Sequence, residues 1–224
     1  MKNLVITVSF GFVKAFLIRG NKNRFILVDT GLRGSKKKFL KVFEQNNIDP
    51  KSIDLIVITH NHTDHVGGLE EMAKFCQAEV LSSFYEGDLL KKGVTSPVVP
   101  NTKMAKIMFK FMKKPTSIKY EVDHVVSKTF DLKNFSVAGK VIMSPGHTEG
   151  SISVLLDNGE AIVGDMITGK KQGKEILAAN PFVAKDISLI KKSLTQLIEA
   201  GGEIFYNAHG LACEKESIKK YIES

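Results

Sequence analysis

One short stretch of the chain combines a predicted buried strand with a cluster of polar residues. The apolar run Leu55-Ile56-Val57-Ile58 is followed, after Thr59, by the hexapeptide His60-Asn61-His62-Thr63-Asp64-His65. A continuous apolar run of this length is typical of a strand that is buried on both faces of a sheet. In α/β proteins, ligand sites lie just beyond the carboxyl ends of such strands. The stretch therefore predicts an α/β fold with a functional site directly after this strand.

The residue types in the hexapeptide indicate metal binding. The chain has six histidines, and three of them fall here. Imidazole nitrogens suit zinc, iron and other late divalent metals, and carboxylates add oxygen ligands. Burying so many titratable groups without a metal would be costly. Two further histidines and one aspartate follow other predicted strands, so the candidate metal ligands are His60, His62, Asp64, His65, His147, Asp165 and His209. His124 falls outside this pattern, and we interpret it as a structural or surface residue.

The remaining sequence alternates between predicted strands and helices. β-rich runs predict strands at 4–8, 13–18, 25–28, 78–81, 135–138, 140–143, 151–156, 161–164 and 203–206. Helical spacing predicts helices after Ser35, over 69–76, after Asp186 or Ser188, and from Glu214. With no linker or repeat in the pattern, we expect a single domain over 1–224.

The segment 82–120 differs from the rest in charge. It holds eight lysines and two acidic residues, so it carries +6 of the net charge of +8. Within it, apolar residues recur at helical spacing over 103–114, namely Met104, Ile107, Met108, Phe111 and Met112. We expect a basic helical insertion here. It could be a lid whose Met/Phe face lines an acyl pocket, a basic face for phosphates, nucleic acid or membranes, or an amphipathic helix packed on the body.

Composition limits the compartment and the partners. The 43% hydrophobic and 25% charged residues are ordinary for a globular protein. Two cysteines, Cys76 and Cys213, are too few for a disulfide framework and fit a reducing compartment. The sequence contains neither a secretory signal pattern nor the roughly 20 consecutive apolar residues of a membrane span. We therefore expect a cytoplasmic protein with no membrane span, and the oligomeric state stays open.

Five short motifs, in order along nearly the whole chain, resemble those of the metallo-β-lactamase superfamily. They are Leu27-Val28-Asp29-Thr30-Gly31, the hexapeptide 60–65, Gly146-His147-Thr148, Gly164-Asp165 and His209-Gly210. The resemblance implies a four-layer αββα sandwich, with two mixed β-sheets flanked by helices and metals at one edge of the sheets.

The resemblance also implies a role for each matching residue. His60, His62 and His147 would hold one divalent metal ion, Asp64, His65 and His209 a second, and Asp165 would bridge them. Asp29 would support the site without binding metal. Zn²⁺ is the favoured ion, with iron or manganese as alternatives. A metal-bridging hydroxide would attack the substrate, and Asp64 could pass a proton to the leaving group.

Several branches of this superfamily remain open at this point. The resemblance favours a small-molecule substrate over nucleic acid, namely a carboxylic ester, thioester or lactone, possibly with an acyl chain. The alternatives are a phosphodiesterase or nuclease, which the basic segment 82–120 would suit, a mono-iron persulfide dioxygenase, and a metal-dependent sensor or binding protein. His62 and Asp165 argue against two further branches, which carry glutamate and cysteine at those positions.

Overall fold

The computed structural model describes residues 4–101, 105–107 and 117–224. Within these residues the strands form two six-stranded sheets and one two-stranded ribbon. The helix that the sequence predicts over 103–114 lies largely outside the described residues. Of its positions, 105–107 are described and are helical, with Ala105 buried and Ile107 64% exposed.

The first sheet is built from the first half of the chain. Its strands lie in sequence order: β1 Val5–Ser9, β2 Lys14–Arg19, β3 Phe25–Val28, β4 Ile53–Val57, β5 Glu79–Ser83 and β6 His124–Val126. β1, β2 and β3 pair antiparallel, whereas β3 to β6 pair parallel. The parallel strands therefore bring their carboxyl ends to one edge of the sheet.

The second sheet has the strand order β14-β13-β10-β9-β8-β7. Its strands are β7 Thr129–Asp131, β8 Gly139–Met143, β9 Ile152–Leu156, β10 Glu160–Ile162, β13 Ile204–Tyr206 and β14 Cys213–Glu214. β9 is antiparallel to both β8 and β10, and β13 is parallel to β10. Hence β8, β10 and β13 run in one direction and end at one edge. β11 Thr168–Gln172 and β12 Glu175–Ala179 form the ribbon.

Helices cover the outer face of each sheet. They are α1 Lys36–Asn46, α2 Thr63–Val66, α3 Leu69–Cys76, α4 Phe84–Lys92, α5 Ile187–Glu199 and α6 Lys215–Glu223. α1, α3 and α4 contribute to a core with the first sheet, and α5 and α6 to a core with the second. A third core lies between the sheets. In β3, for example, Phe25 and Leu27 face the helices, whereas Ile26 and Val28 face the other sheet. This is the αββα sandwich, so the predicted fold class is confirmed.

The local predictions differ from the structure in several places. The strand predicted at 135–138 is wrong: a 3₁₀ turn spans Lys133–Phe135, and Ser136 has a left-handed φ of 61° that ends any extended run. The ribbon β11–β12 was not predicted: β11 (Thr168–Gln172) is polar and lacks an apolar pattern, and the short apolar run of β12 (Glu175–Ala179) was not assigned to a strand. Ser35 does stand at the amino end of α1, but its hydroxyl donates to the Leu32 carbonyl and makes no capping bond.

The basic segment 82–120 begins within regular structure. β5 runs to Ser83, and α4 follows at once with Leu90 in the core. The part up to Lys92 is therefore integral to the sandwich, while the single-domain assignment and the role of the remainder stay predictions. No helix among the described residues is both long enough and apolar enough to cross a membrane.

Candidate metal centre

All seven predicted ligands lie just beyond the carboxyl ends of strands or on α2. The loop after β4 carries His60 and His62, and α2 carries Asp64 and His65. In the second sheet, His147 follows β8, Asp165 follows β10 and His209 follows β13. Because these strands end at the same side of the sandwich, the fold brings residues that are distant in sequence together.

Three histidines form what we call the first trio: His60, His62 and His147. His147 Nε2 lies 3.2 Å from His60 Nε2 and 3.1 Å from His62 Nδ1. The ligating atoms of this trio and of Asp165 all lie within 4.8 Å of one another, and all four residues are buried. The arrangement matches the donor set of a metal site with imidazole ligands and one carboxylate.

The second trio consists of Asp64, His65 and His209, whose ligating atoms also lie within 4.8 Å of one another. His209 Nε2 is 3.2 Å from Asp64 Oδ2. This trio is nearer to solvent, since the side chains of Asp64 and His209 are 23% and 25% exposed. A ligand or substrate can therefore approach from this side.

Asp165 lies between the two trios. Its carboxylate is 3.3 Å from His65 Nε2 and 3.1 Å from His209 Nε2, and 3.7 Å from His147 Nε2 and 3.9 Å from His60 Nε2. It can therefore reach both trios, as a bridging ligand must. The short turn before it depends on Gly164, which has a φ of 54°; a Cβ there would lie 2.9 Å from Thr59 Oγ1 in the first half of the chain.

Hydrogen bonds behind the site orient the imidazole rings. His65 Nδ1 donates to Asp29 Oδ2, His147 Nδ1 to the Val183 carbonyl, and His209 Nδ1 to the Phe12 carbonyl. Carboxylate and carbonyl oxygens only accept, so in the neutral form each of these rings keeps its Nε2 lone pair for the cluster.

His60 is oriented by a relay that ends on the same carboxylate. Its Nδ1 lies 3.1 Å from Thr59 Oγ1, and that hydroxyl donates to Asp29 Oδ2. Asp29 is buried and also accepts from the Thr59 backbone N–H. Asp29 therefore stands behind one histidine of each trio, which is the supporting position that the sequence analysis expected for it.

The pKa values separate the two trios. Burial, together with the neighbouring histidines, holds the pKa of His60 well below its ordinary value, and burial lowers the pKa of His147 to about 4. In the second trio, burial alone would lower the histidine pKa values, but Asp165 raises that of His209 to about 10. Asp165 and Asp29 likewise raise the pKa of His65 well above its ordinary value. Without metal, protons on the second trio therefore balance the carboxylates.

These observations fit a divalent metal site. Among the described residues, the buried His62 Nε2 has no hydrogen-bond partner, and His65 Nε2 and Asp165 Oδ1 face each other at 3.3 Å without the geometry of a hydrogen bond. Unpartnered buried donors and acceptors are costly, and metal coordination is one way to satisfy such lone pairs. The residues therefore suit divalent metal ions.

The other residues singled out from the sequence lie apart from the cluster. His124 is on β6, where its Nε2 lies 2.6 Å from Glu79 Oε2. Cys213 is buried in the core between the second sheet and its helices.

Sequence reasoning missed Glu86, which is fully buried beside the first trio. Its carboxylate accepts from the Asn61 backbone N–H at 2.8 Å and from Thr148 Oγ1 at 2.6 Å. The available signal was weak: a glutamate on the same face of α4 as the buried Leu90, four residues later.

Comparison with known proteins decides the family. A model of the metallo-β-lactamase superfamily matches residues 8–209. The chain belongs to the metallo-β-lactamase superfamily. The prediction of a metal-dependent hydrolase of this superfamily is thereby confirmed at the superfamily level.

Relatives within the superfamily are similar over most of the chain. A probable metallo-hydrolase of Methanocaldococcus jannaschii is 30% identical over 197 residues, which cover 85% of this chain and 87% of the relative. A probable metallo-hydrolase of Bacillus subtilis is 24% identical, covering 92% and 83%. The β-lactamase-like protein 2 homolog of Drosophila melanogaster is longer: it is 23% identical, and the match spans 91% of this chain but 61% of that protein.

Solved structures of the superfamily share the fold. The BLEG-1 B3 metallo-β-lactamase superposes with a TM-score of 0.69 at 17% identity, covering 98% of this chain and 97% of that one. The superfamily protein ST1585 from Sulfolobus tokodaii gives a TM-score of 0.66 at 21% identity, covering 98% and 84%. At these identities the likeness concerns the fold alone.

Proposed function

We propose that this chain is a cytoplasmic hydrolase that uses two divalent metal ions, preferably Zn²⁺, to cleave carboxylic esters, thioesters or lactones. The observation that carries the proposal is the convergence of both trios on Asp165. Bound metal ions would lower the pKa of a water molecule and polarise the attacked carbonyl group. We assign His60, His62 and His147 to one ion, Asp64, His65 and His209 to the other, and Asp165 to both.

Asp64 supplies a proton carrier at the solvent side of the site. Burial alone would raise the pKa of Asp64, but His65 and His209 lower it below its ordinary value, so the carboxylate is ionised at neutral pH. An ionised carboxylate in this position can accept a proton from the attacking water and pass it to the leaving group. An Asp64→Asn variant that keeps full metal content and full activity would remove this role.

Apolar side chains near the cluster support an acyl substrate. The Phe12 ring is 65% exposed and stacks on the His209 ring, with centroids 6.0 Å apart and planes within 7°. Phe182 is 47% exposed and directly precedes Val183, whose carbonyl accepts from His147. Exposed aromatic groups beside a polar site are suited to contact the apolar part of a ligand.

Two lysines near the cluster are engaged by the chain itself. Lys14 Nζ donates to the Gly210 carbonyl, next to His209. Lys185, whose backbone N–H donates to the His147 carbonyl, pairs through its side chain with Glu149. A phosphodiester substrate would benefit from free cations here, so this arrangement favours a neutral ester, thioester or lactone over a phosphodiester.

The test compares substrates and metal content in one preparation. Metal-stripped protein is reconstituted with Zn²⁺, and p-nitrophenyl esters of increasing acyl length, a thioester, a lactone and bis(p-nitrophenyl) phosphate are assayed. We expect about two Zn²⁺ per chain, activity that follows the metal, and faster cleavage of carboxylic esters than of the phosphodiester.

Matched variants distinguish the loss of a cluster residue from a general loss of stability. His147→Ala is expected to abolish activity, whereas His124→Ala, which removes a histidine outside the cluster, keeps it. Phe12→Ala is expected to raise KM for long acyl chains but not for acetate, and Leu40→Ala, an exposed apolar control on α1, leaves both unchanged. Preferential phosphodiester cleavage would refute the substrate class. About one iron per chain in the protein as purified, before stripping, with oxygen consumption on a persulfide, would refute hydrolysis.

A further inference from the structure

Glu86 is a buried carboxylate held by neutral partners. It is fully buried, and among the described residues no Lys, Arg or His lies within ion-pair distance of it. Its Oε2 accepts from the Asn61 backbone N–H and from Ser96 Oγ, and its Oε1 accepts from Thr148 Oγ1. Since burying a carboxylate away from cations is costly, a glutamate at this position calls for a role that an apolar side chain would not fill.

The sequence around Glu86 resembles a helix-capping box, but the side chain does not serve as one. Ser83 caps α4 by accepting from the Glu86 backbone N–H, as the first residue of such a box does. In a capping box the glutamate would turn back to the N–H of the capping residue. Here the carboxylate instead accepts from Asn61, Ser96 and Thr148, so it links separate parts of the chain.

Two of the three partners of Glu86 belong to the loops that carry the first trio. Asn61 lies between His60 and His62, and Thr148 directly follows His147. One carboxylate thus bonds to the loop after β4 in the first sheet and to the loop after β8 in the second. Gly150, in the same loop as Thr148, also packs against Glu86: a Cβ at this position would lie 2.8 Å from Glu86 Cγ.

The same network also holds the chain that follows α4. Ser96 bonds to Glu86 through its hydroxyl and to the Asn61 carbonyl through its N–H. The Asn61 side chain donates to the Val94 carbonyl and accepts from Ser117 Oγ. The residue between two predicted metal ligands is therefore fixed from both sides, with Glu86 at the centre of the contacts.

We propose that Glu86 is a positioning residue that clamps the loop of His60 and His62 to the loop of His147, and so sets the geometry of the first trio. The inference rests on the metal assignment in the proposed function. We expect removal of the carboxylate to weaken metal binding by the first trio. Binding by the second trio should stay unchanged, because among the described residues none of that trio is hydrogen-bonded to Glu86.

The chain offers a matched control in Glu160. This glutamate is also buried and also bound by neutral donors, namely the Leu4 N–H, the Asn158 amide and the Tyr206 hydroxyl. It lies at the amino end of β10, whereas Asp165 follows the carboxyl end. Glu160→Ala therefore reproduces the loss of a buried carboxylate without touching a ligand-bearing loop.

The experiment titrates metal-free wild type, Glu86→Ala, Glu86→Gln and Glu160→Ala with Co²⁺ and follows the absorption of each binding step. We expect Glu86→Ala to weaken one step about 10- to 100-fold and to leave the other within about threefold of wild type. Glu86→Gln is expected to recover most of the affinity, because its amide can accept from Asn61 and donate to Thr148. Glu160→Ala is expected to leave both steps unchanged.

Hydrogen exchange of the metal-free proteins gives a second readout. The Asn61 N–H should be protected in wild type and in Glu160→Ala, and should exchange faster in Glu86→Ala. Wild-type affinity at both steps in Glu86→Ala, or equal weakening of both steps in both alanine variants, would overturn this inference and leave the hydrolase proposal standing. A wild-type chain that binds no Co²⁺ would instead overturn the proposed function, and the inference with it.

Discussion

Replacing Asp29 with asparagine should weaken metal binding without disturbing the backbone. Asp29 has a φ of 61°, in the left-handed region that asparagine adopts readily, so the substitution adds little strain. Its Oδ1 accepts from the Thr59 N–H, and its Oδ2 accepts from Thr59 Oγ1 and from His65 Nδ1. An asparagine side chain has one oxygen and one NH₂ group in place of the two carboxylate oxygens. In either orientation, the NH₂ group therefore faces an N–H donor, that of Thr59 or that of His65.

The magnitude follows from that mismatch. If the NH₂ group of the asparagine faces His65, the Nδ1–H of the ring loses its acceptor and stays as an unpaired buried donor, at a cost of about 1–3 kcal/mol. Alternatively, the ring proton moves to Nε2, where it blocks metal binding. If the amide faces the Thr59 N–H, a backbone donor is left unpaired at a similar cost. We therefore expect the second trio to lose about 10- to 100-fold in metal affinity.

The assay is a Zn²⁺ titration against a competing chelator, with the His65 tautomer read from ¹⁵N shifts of the ring nitrogens. Asp123→Asn is the matched control, because Asp123 also accepts from a backbone N–H, that of Val80, but on the strands away from the cluster. Wild-type affinity of Asp29→Asn at both steps, with the proton still on His65 Nδ1, would refute the reasoning.

Further predictions concern pH, packing and the His147 loop. Because the pKa of His209 is raised to about 10, protons compete with metal below that pH, so the affinity of the second trio should rise from pH 6 towards pH 10. The first trio should show little change above about pH 5, since the pKa of His147 is lowered to about 4. Titrations at several pH values measure both slopes, and equal slopes would contradict the assignment. Leu55→Ala, in the core between the sheets, should destabilise the fold by about 2–5 kcal/mol in urea unfolding. Gly146→Ala should add about 1–3 kcal/mol of strain and weaken the first trio, because φ is 138° and a Cβ would lie 2.5 Å from the Ile190 backbone nitrogen; unchanged metal affinity would contradict this.

The sequence predicts the elements whose patterns are set locally. The run at Leu55 predicts β4 because every position is apolar, and the Asp186 side chain caps α5 by accepting from the Leu189 N–H, as expected. The pattern fails where tertiary contacts decide the structure. The edge strands β6 and β7 have three residues each and owe their extended form to their neighbours.

The clustering of the candidate ligands was predictable from the sequence because histidines are rare in this chain and five of the six lie in or next to turns that follow strands. The residues behind them were not, since hydrogen-bond partners such as Val183, Phe12 and Glu86 carry no pattern of their own. The hydrogen bonds to Val183 and Phe12 are made to their backbone carbonyls, which any residue type provides. Glu86 is separated from its partner Thr148 by 62 residues, a relation that appears only when both sheets are in place.

Each sheet is made by one continuous half of the chain, the first by residues 5–126 and the second by residues 129–214. The candidate ligands are divided between these halves: His60, His62, Asp64 and His65 come from one, and His147, Asp165 and His209 from the other. Metal ions bound by ligands from both halves would act as a cross-link between the two sheets. A chain cut between β6 and β7 should then reassociate more tightly when metal is present, so that reassembly of the two fragments would report occupancy of the site without any substrate.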